Sequence, residues 1–212
     1  MKLERLTCFF LWLLIFDENL ATSTFYRDDR SYTSVPEDLC LEGPCSGYTV
    51  ISLQQNMIKQ IRKTDFTSNN FPSLQWLYLS NNVISAIEDG CFKGTQLGVI
   101  YLNKNNLSRF PNFTEVKGTL RTVYLANNHI AKINPEMLAN LKKIQILDMR
   151  WNRLVSFPDY NDFLPELYIL AIGPSNGIMR CCIWMKNIGS RLNITKPFSC
   201  SWPPSVANPS MG

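Results

Sequence analysis

The chain has 212 residues, of which 45% are hydrophobic, and a formal net charge of +4 at pH 7. So mild a charge is typical of an ordinary solvated surface, and from it we expect no nucleic acid partner. A heparin-like or other anionic partner is the alternative interpretation of the small excess of lysine and arginine.

Residues 1–23 have the three parts of a secretory signal peptide. Lys2 and Arg5 make a basic start, an apolar run follows, and Ala21 and Ser23 supply small residues before a cleavage site. The apolar run is too short for a transmembrane helix. We therefore expect cleavage after Ser23 and secretion. The removed segment carries a net charge of −1, so the mature chain would have a charge of about +5.

Residues 24–47 separate the signal peptide from the first predicted strand. Residues 24–38 mix charged side chains with Tyr and Ser and show no hydrophobic periodicity. This composition predicts a mobile leader. Cys40 and Cys45 end the segment.

A leucine pattern repeats through residues 48–175. Its clearest copy is LQWLYLSNNVI, from Leu74 to Ile84, which has the form L-x-x-L-x-L-x-x-N-x-I. The six copies begin at Tyr48, Leu74, Leu97, Leu120, Ile144 and Leu167, and the first and last copies are the least regular. The asparagine position is filled by Asn56, Asn82, Asn105, Asn128, Asn152 and, in the last copy, Ser175.

This pattern resembles the leucine-rich repeat superfamily over roughly residues 39–200. The resemblance implies an α/β solenoid of about six coils, right-handed and curved, with a parallel β-sheet on its concave face. Because side chains alternate along a strand, Leu77 and Leu79 should point into the core, and Trp76 and Tyr78 should point outward. We use the name concave face for the outward-pointing side of these strands.

The remaining positions of each coil have structural roles. The repeated asparagine should close the turn after the strand, where its amide can satisfy backbone groups that the bend leaves unpaired. Apolar residues of the connecting arcs, among them Phe66, Phe92 and Phe113, should fill the back of the core. The best helix candidate is Pro135–Lys143, with Asn134 as its cap.

The resemblance also implies disulfide-bonded caps, because extracellular repeat proteins usually cover the apolar ends of the solenoid. A bridge between Cys40 and Cys45 fits a small N-terminal plug. Residues 176–200 resemble a C-terminal cap, whose family pattern places cysteines around a Trp-bearing helix. The matching residues are Cys181, Cys182, Trp184 and Cys200. The tail, residues 201–212, is Pro-rich and has no visible membrane anchor.

If Cys200 pairs with one of the two adjacent cysteines, the other one and Cys91 are left over. Four coil spacings separate these two by about 19 Å, whereas a disulfide needs Cα atoms within roughly 7 Å. A leftover thiol is then free or bonded to a second chain, which would give a disulfide-linked dimer. Alternatively, Cys91 is a buried thiol that packs beside Phe92.

Catalytic and metal-binding patterns are weak in this sequence. Gly173–Gly177 fits the G-x-S-x-G motif of hydrolases, but Ser175 occupies the asparagine position of the repeat. The only histidine, His129, precedes this serine, and the hydrolase order requires a histidine after it. A lone histidine without free thiols builds no metal site. We therefore expect no enzyme, no cofactor and no metal.

Three N-glycosylation sequons begin at Asn106, Asn112 and Asn193. None of them lies on a predicted strand. If they carry glycans, the concave face stays free to bind a partner.

The outward strand residues should form columns along the solenoid. The first column is Val50, Trp76, Val99, Thr122, Ile146 and Ile169, and the second is Ser52, Tyr78, Tyr101, Tyr124, Asp148 and Ala171. The third is Gln54, Ser80, Asn103, Ala126, Arg150 and Gly173, and the fourth is Gln55, Asn81, Lys104, Asn127, Trp151 and Pro174. Exposed apolar and aromatic clusters commonly mark partner sites, although strand propensity also favours these residue types. The predicted binding residues are Trp76, Tyr78, Val99, Tyr101, Tyr124, Asp148, Arg150 and Trp151.

The resemblance implies non-catalytic recognition of an extracellular protein or glycan through the concave face, in cell-surface signalling or innate immunity. One alternative is a matrix or scaffold protein that acts through disulfide-linked assembly. A hydrolase at Ser175 is the least favoured alternative.

Overall fold

The computed structural model describes residues 24–37, 39, 45–67, 70–154, 164–172 and 182–185, the last four by their backbone alone. The strands are β1 Thr24–Tyr26, β2 Val50–Ser52, β3 Gln60–Ile61, β4 Trp76–Tyr78, β5 Ala86–Ile87, β6 Val99–Tyr101, β7 Thr122–Tyr124, β8 Ile146–Asp148, β9 Ile169–Ile172 and β10 Cys182–Met185. Helix α1 spans Pro135–Ala139, and 3-10 turns lie at Cys45–Gly47 and Thr114–Val116.

The main sheet has eight strands in the order β1-β2-β4-β6-β7-β8-β9-β10. Its first seven strands pair in parallel, each with the strand of the next coil. On the arcs, β3 and β5 form a second, two-stranded parallel sheet. The predicted solenoid with a parallel sheet is confirmed.

The inward strand residues form the centre of the core. They are Ile51, Leu77, Ile100, Val123, Leu147 and Leu170, and each is at most 1% exposed. Phenylalanines of the arcs fill the back of the core, as predicted. The ring centroids of Phe66 and Phe92 are 6.4 Å apart, and those of Phe92 and Phe113 are 6.2 Å apart. Because no coil can bury these side chains by itself, stacking of coils is what removes them from water.

The repeated asparagines join each coil to the one before it. Asn128, which is 3% exposed, donates from Nδ2 to the carbonyl oxygen of Leu102 in the preceding coil (2.9 Å) and to that of Leu125 in its own coil (3.0 Å). Its Oδ1 accepts from the backbone N–H of Leu107 at 3.0 Å. Asn82, Asn105 and Asn152 make the same three kinds of bond. The predicted role of this position is confirmed.

Helix α1 begins as the sequence predicts. The side chain of Asn134 caps it by accepting from the backbone N–H of Glu136 at 3.1 Å, and Pro135 occupies the first turn. The helix ends at Ala139, earlier than the predicted Lys143. A five-residue helix fits because the arc must return to the sheet within one coil.

The prediction of a mobile leader was wrong at its first residues. Thr24–Tyr26 form β1, which pairs with β2 in register with the coils that follow. Phe25 takes the inward position, is 6% exposed and meets the ring of Tyr48 edge-on at 5.6 Å. Asn56 bonds to this segment as later asparagines bond to preceding coils, donating to the carbonyl oxygen of Arg27 at 2.9 Å. The leader therefore supplies an additional coil.

The C-terminal end also differs from the prediction. Cys182–Met185 form an antiparallel strand against β9, with Trp184 opposite Leu170, where we expected a Trp-bearing helix. An added strand covers the last edge of the sheet by backbone hydrogen bonds, which a helix cannot provide. The predicted signal peptide, the tail and the remainder of the predicted C-terminal cap, including Cys181 and Cys200, lie outside the described residues.

The two described cysteines outside β10 are in different states. Cys45 is disulfide-bonded, and its predicted partner Cys40 lies outside the described residues, so their pairing remains a prediction. Cys91 is a free thiol that is 1% exposed. Of the two alternatives for Cys91, the structure supports the buried thiol.

A candidate binding surface on the concave face

The predicted columns are aligned by the strand register. Val50, Trp76, Val99, Thr122, Ile146 and Ile169 are direct neighbours from strand to strand. Trp76 is 40% exposed and the other five are half-buried. The column is therefore a continuous, partly apolar strip, as predicted.

Three tyrosines of the second column stack on one another. The ring centroids of Tyr78 and Tyr101 are 4.6 Å apart with ring planes 10° apart, and those of Tyr101 and Tyr124 are 4.5 Å apart with planes 16° apart. We call these three rings the tyrosine ladder. Their separation matches the spacing of neighbouring strands, about 4.8 Å. Each ring fixes the next, so the ladder presents its edges and hydroxyl groups in a rigid row.

The ladder stays uncharged at neutral pH. Burial raises the pKa of all three phenol groups above their usual value, and neighbouring tyrosines raise it further: Tyr26 for Tyr78, Tyr78 for Tyr101 and Tyr101 for Tyr124. The hydroxyls therefore remain protonated and can both donate and accept hydrogen bonds.

Asp148 lies in the second column but is not exposed, so this part of the binding-site prediction was wrong. It is 5% exposed, and Oδ1 accepts from the backbone N–H and Nε of Arg150 at 3.1 and 3.0 Å. Its Oδ2 accepts from Nη2 of Arg150 at 2.7 Å. The carboxylate therefore orients Arg150, whose side chain is 41% exposed, and is itself covered.

The third and fourth columns differ in exposure. Ser80 and Ala126 of the third column are buried, contrary to the expectation that they point into solvent. The described members of the fourth column are all exposed and have a left-handed backbone, with φ of 55° to 57°. For Trp151, which is 56% exposed, this conformation is unusual, because bulky side chains rarely adopt positive φ.

Sequence reasoning missed the extension of these columns by the leader. Tyr26 is paired with Ser52 and is 62% exposed, so it continues the column of the ladder. Asp28 follows it, and its Oδ1 accepts from Oγ of Ser52 at 2.6 Å and from the backbone N–H of Gln54 at 2.8 Å. The signal was the offset of twenty-six residues that separates Tyr26 from Ser52 and Ser52 from Tyr78.

The predicted modification positions lie away from these columns. Asn106 is exposed, and Asn112 is half-buried with its Oδ1 accepting from the backbone N–H of Thr114 at 3.1 Å. Asn193 and the rejected nucleophile Ser175 lie outside the described residues. Glycosylation remains a prediction.

Neither a metal-binding cluster nor a membrane-spanning helix occurs among the described residues. No cluster of three or more histidine, cysteine or acidic side chains that could hold a metal occurs in that part of the chain. Nor does a helix there have the length and apolar character needed to cross a bilayer.

Comparison with known proteins identifies repeats of one kind. Two family models described as leucine-rich repeat match residues 72–115 and 119–141. Similar proteins include lumican of Coturnix japonica, which is 34% identical over 51% of this chain and 32% of its own length. Tsukushi of Gallus gallus is 32% identical over 66% of this chain and 38% of its own length.

A third similar protein is a probable glycoprotein hormone G-protein coupled receptor of Anthopleura elegantissima, 28% identical over 65% of this chain and 15% of its own length. The chain thus spans well under half of each of these relatives. Among solved structures, a TLR13–ssRNA13 complex matches with a TM-score of 0.56 and 24% identity, over 66% of this chain and 20% of that one. This likeness concerns the fold alone.

Proposed function

Because this chain is a leucine-rich repeat protein, we propose that it is a secreted, non-catalytic recognition protein that binds an extracellular protein through its concave face. The observation that carries the proposal is the tyrosine ladder, three stacked rings on consecutive coils beside the exposed indole of Trp76.

Aromatic exposure on this scale favours a binding role. A Trp or Tyr side chain left in water forgoes the stabilisation that its burial in the core would give. Trp76 and Trp151 are 40% and 56% exposed, and the ladder adds three half-buried rings between them. Rigid aromatic side chains lose little entropy when a partner covers them, which is why they are enriched at binding hot spots. The fixed guanidinium of Arg150 adds a charged contact to this surface.

The stacking geometry favours a protein over a glycan as partner. A sugar ring stacks on a free aromatic face, but both faces of Tyr101 are covered by Tyr78 and Tyr124. What the ladder offers is ring edges and hydroxyls, and these suit apolar side chains and backbone groups of a polypeptide.

The names of similar proteins agree with a recognition role. One is a probable glycoprotein hormone receptor and another, 31% identical over 60% of this chain, is Toll-like receptor 7 of Mus musculus. If this chain also recognises an extracellular ligand, a role in cell-surface signalling or innate immunity would follow.

The test is to capture partners from extracellular fluid on the immobilised secreted protein and then replace Tyr101 by alanine. We expect binding to weaken by roughly 2 kcal/mol, about thirtyfold, because Tyr101 is the central rung. Stability should fall by only about 1 kcal/mol, because two ring contacts are lost while the leucine core stays intact. Leu102→Ala is the matched control: Leu102 is fully buried, so this change should cost roughly 2 to 5 kcal/mol of stability. Undiminished binding by Tyr78→Ala and Tyr101→Ala, together with loss of binding by Lys132→Ala on the arcs, would exclude the concave face.

A disulfide-linked scaffold is the second candidate. The burial of Cys91 weighs against this thiol as the bridge, since a partner chain cannot reach it in the folded state. A dimer that persists on a non-reducing gel after Cys91→Ser would revive the scaffold through another cysteine.

A further inference from the structure

A groove of about 400 Å³ lies where the edge of the concave face meets the arcs. Its walls and floor include Gln75, Trp76, Gly98, Val99, Gly118 and Arg121. Gly98 lies in the coil between Gln75 and Arg121, bonded through its N–H to the carbonyl oxygen of Gln75 and through its carbonyl oxygen to the N–H of Arg121, both at 2.8 Å. We call this groove the Gly98 notch.

The fold does not require glycine at the two positions that open the notch. Among the described glycines, positive φ occurs at Gly90 and Gly94 and not at Gly98 or Gly118. A Cβ at Gly98 would lie 3.7 Å from two carbonyl oxygens, an ordinary contact, and a Cβ at Gly118 would meet nothing within 4 Å. Glycine nevertheless costs stability through the entropy of the unfolded chain. What it provides here is space between the larger side chains of Gln75 and Arg121.

The lining of the notch is apolar on one side and cationic on the other. Trp76 and Val99 form the apolar side and continue the first column of the concave face. Arg121, the charged residue of the lining, is held in place by bonds from Nη1 to the carbonyl oxygens of Gly118 and Thr119 at 3.3 and 3.2 Å. Both bonds use Nη1, so Nε and Nη2 can donate to a ligand.

Neighbouring charges leave this guanidinium available to an anion. The carboxylate of Glu166 interacts electrostatically with Arg121, but it is already bound by Nζ of Lys143 at 2.5 Å. The Lys143 ammonium comes first among the causes that lower the pKa of Glu166, and Arg121 has a smaller part. The notch therefore has a net positive character toward a ligand.

We propose that the Gly98 notch binds an acidic side chain of a protein partner together with the apolar side chain next to it. The carboxylate pairs with Arg121, and the apolar group lies over Gly98 against Trp76 and Val99. This assignment rests on the proposed recognition function, because the notch adjoins the face that carries it. The assignment requires that the partner contain an acidic residue next to an apolar one.

The probe is a set of synthetic peptides in pairs, each with Asp or Glu beside Leu or Phe and its counterpart with Asn or Gln. Binding is measured to the full secreted protein. We expect the acidic member of a pair to bind more tightly, and Arg121→Gln to remove that preference. Gly98→Val should weaken binding about tenfold by filling the notch, while the melting temperature stays the same or rises.

Gly47→Val is the matched control, because Gly47 also has no positive φ and nothing within 4 Å of its Cβ, but it lies outside the notch. It should bind as the unchanged protein does. Equal binding of acidic and amide peptides, or unchanged binding by Gly98→Val, would overturn the proposal.

The same variants distinguish failure of the notch proposal from failure of the proposed recognition function. If Tyr101→Ala abolishes binding of a captured protein and Gly98→Val leaves it intact, the recognition function stands and the notch is not part of it. If Gly98→Val and Arg121→Gln alone weaken binding, the notch is the site and the ladder is not.

Discussion

At the scale of single residues, Cys91 is a free thiol that the fold keeps away from solvent. It is 1% exposed beside Phe92, and its pKa is raised well above the usual range, first by burial and then by the Asp65 carboxylate. Both effects disfavour the thiolate, which is the form that reacts. This thiol should therefore be chemically silent while the protein is folded.

We predict that Cys91 of the native protein does not react with a thiol reagent at pH 8, and that it reacts fully once urea unfolds the chain. The measurement is the release of the chromophore from a disulfide reagent, with Cys91→Ser as the control for any other free thiol. Rapid labelling at Cys91 without denaturant would mean that the second coil opens readily.

The position of a residue could be predicted where the repeat spacing determines it. Its exposure could not be predicted where it depends on contacts with neighbouring side chains. The tyrosine ladder followed from a constant spacing of twenty-three residues, which places Tyr78, Tyr101 and Tyr124 on consecutive strands. The burial of Asp148 did not follow, because it depends on the guanidinium of Arg150 folding back over it. Alternation along a strand tells which side a residue faces and not what covers it there.

At the scale of the elements, the asparagines hold neighbouring coils in register. Replacing Asn128 by alanine leaves the buried backbone N–H of Leu107 without its acceptor. The carbonyl oxygens of Leu102 and Leu125 each lose one donor but keep a second, from Nδ2 of Asn105 and Asn152. An unsatisfied buried group costs about 1 to 3 kcal/mol. We predict that Asn128→Ala lowers the free energy of unfolding by roughly 1 to 3 kcal/mol, measured by urea denaturation.

His129→Ala is the matched control for this prediction, since His129 is the next residue and is exposed. Its effect should stay within about 0.5 kcal/mol. An equal loss from both substitutions would show that the turn itself, and not the amide of Asn128, determines stability.

The leader strand gives a second prediction at this scale. Phe25 is buried against Tyr48, and the side chain of Arg27 lies 4.7 Å from the centroid of its ring. Phe25→Ala should lower the free energy of unfolding by about 3 kcal/mol and speed amide hydrogen exchange in β2. Tyr26→Ala, at the exposed neighbouring position, should leave both quantities nearly unchanged. Unaltered exchange in β2 after Phe25→Ala would mean that β1 does not protect it.

The elements that escaped prediction lie at the two ends of the solenoid. In the leader, Phe25 and Arg27 stand at the strand positions that aliphatic residues or Met fill in the other coils, and Arg30 stands at the asparagine position. The leader therefore lacks the leucine-rich repeat pattern in its sequence, although its backbone pairs with β2 as the later coils pair with one another. At the other end, Cys182 and Trp184 of β10 resembled part of a helical cap, but this segment pairs with β9 as the last strand of the sheet.

At the scale of the whole molecule, secretion and glycosylation can be tested together. We predict that the protein accumulates in culture medium and that enzymatic removal of N-linked glycans increases its gel mobility. Asn106→Gln should remove one such step, because Asn106 is exposed. Cytosolic retention, with alkylation of every cysteine except the buried Cys91, would contradict the extracellular interpretation.

The architecture was the most predictable level, because six imperfect copies of one pattern have only one way to bury their leucines. The partner was the least predictable. Its chemistry depends on which side chains happen to lie beside one another across coils, as Gly98 lies between Gln75 and Arg121.

The bonds between coils have a genetic consequence. Each of these asparagines makes the same two bonds to the preceding coil, so loss of the coding sequence for residues 97–119 would bring Leu120 into the place of Leu97 without breaking the pattern. Tyr78 would then stack on Tyr124, while Tyr101, Gly98 and Gly118 would be gone. Duplication or loss of one coil can therefore change what such a protein recognises in a single inherited step, whereas loss of one codon within a strand would exchange its inward and outward faces.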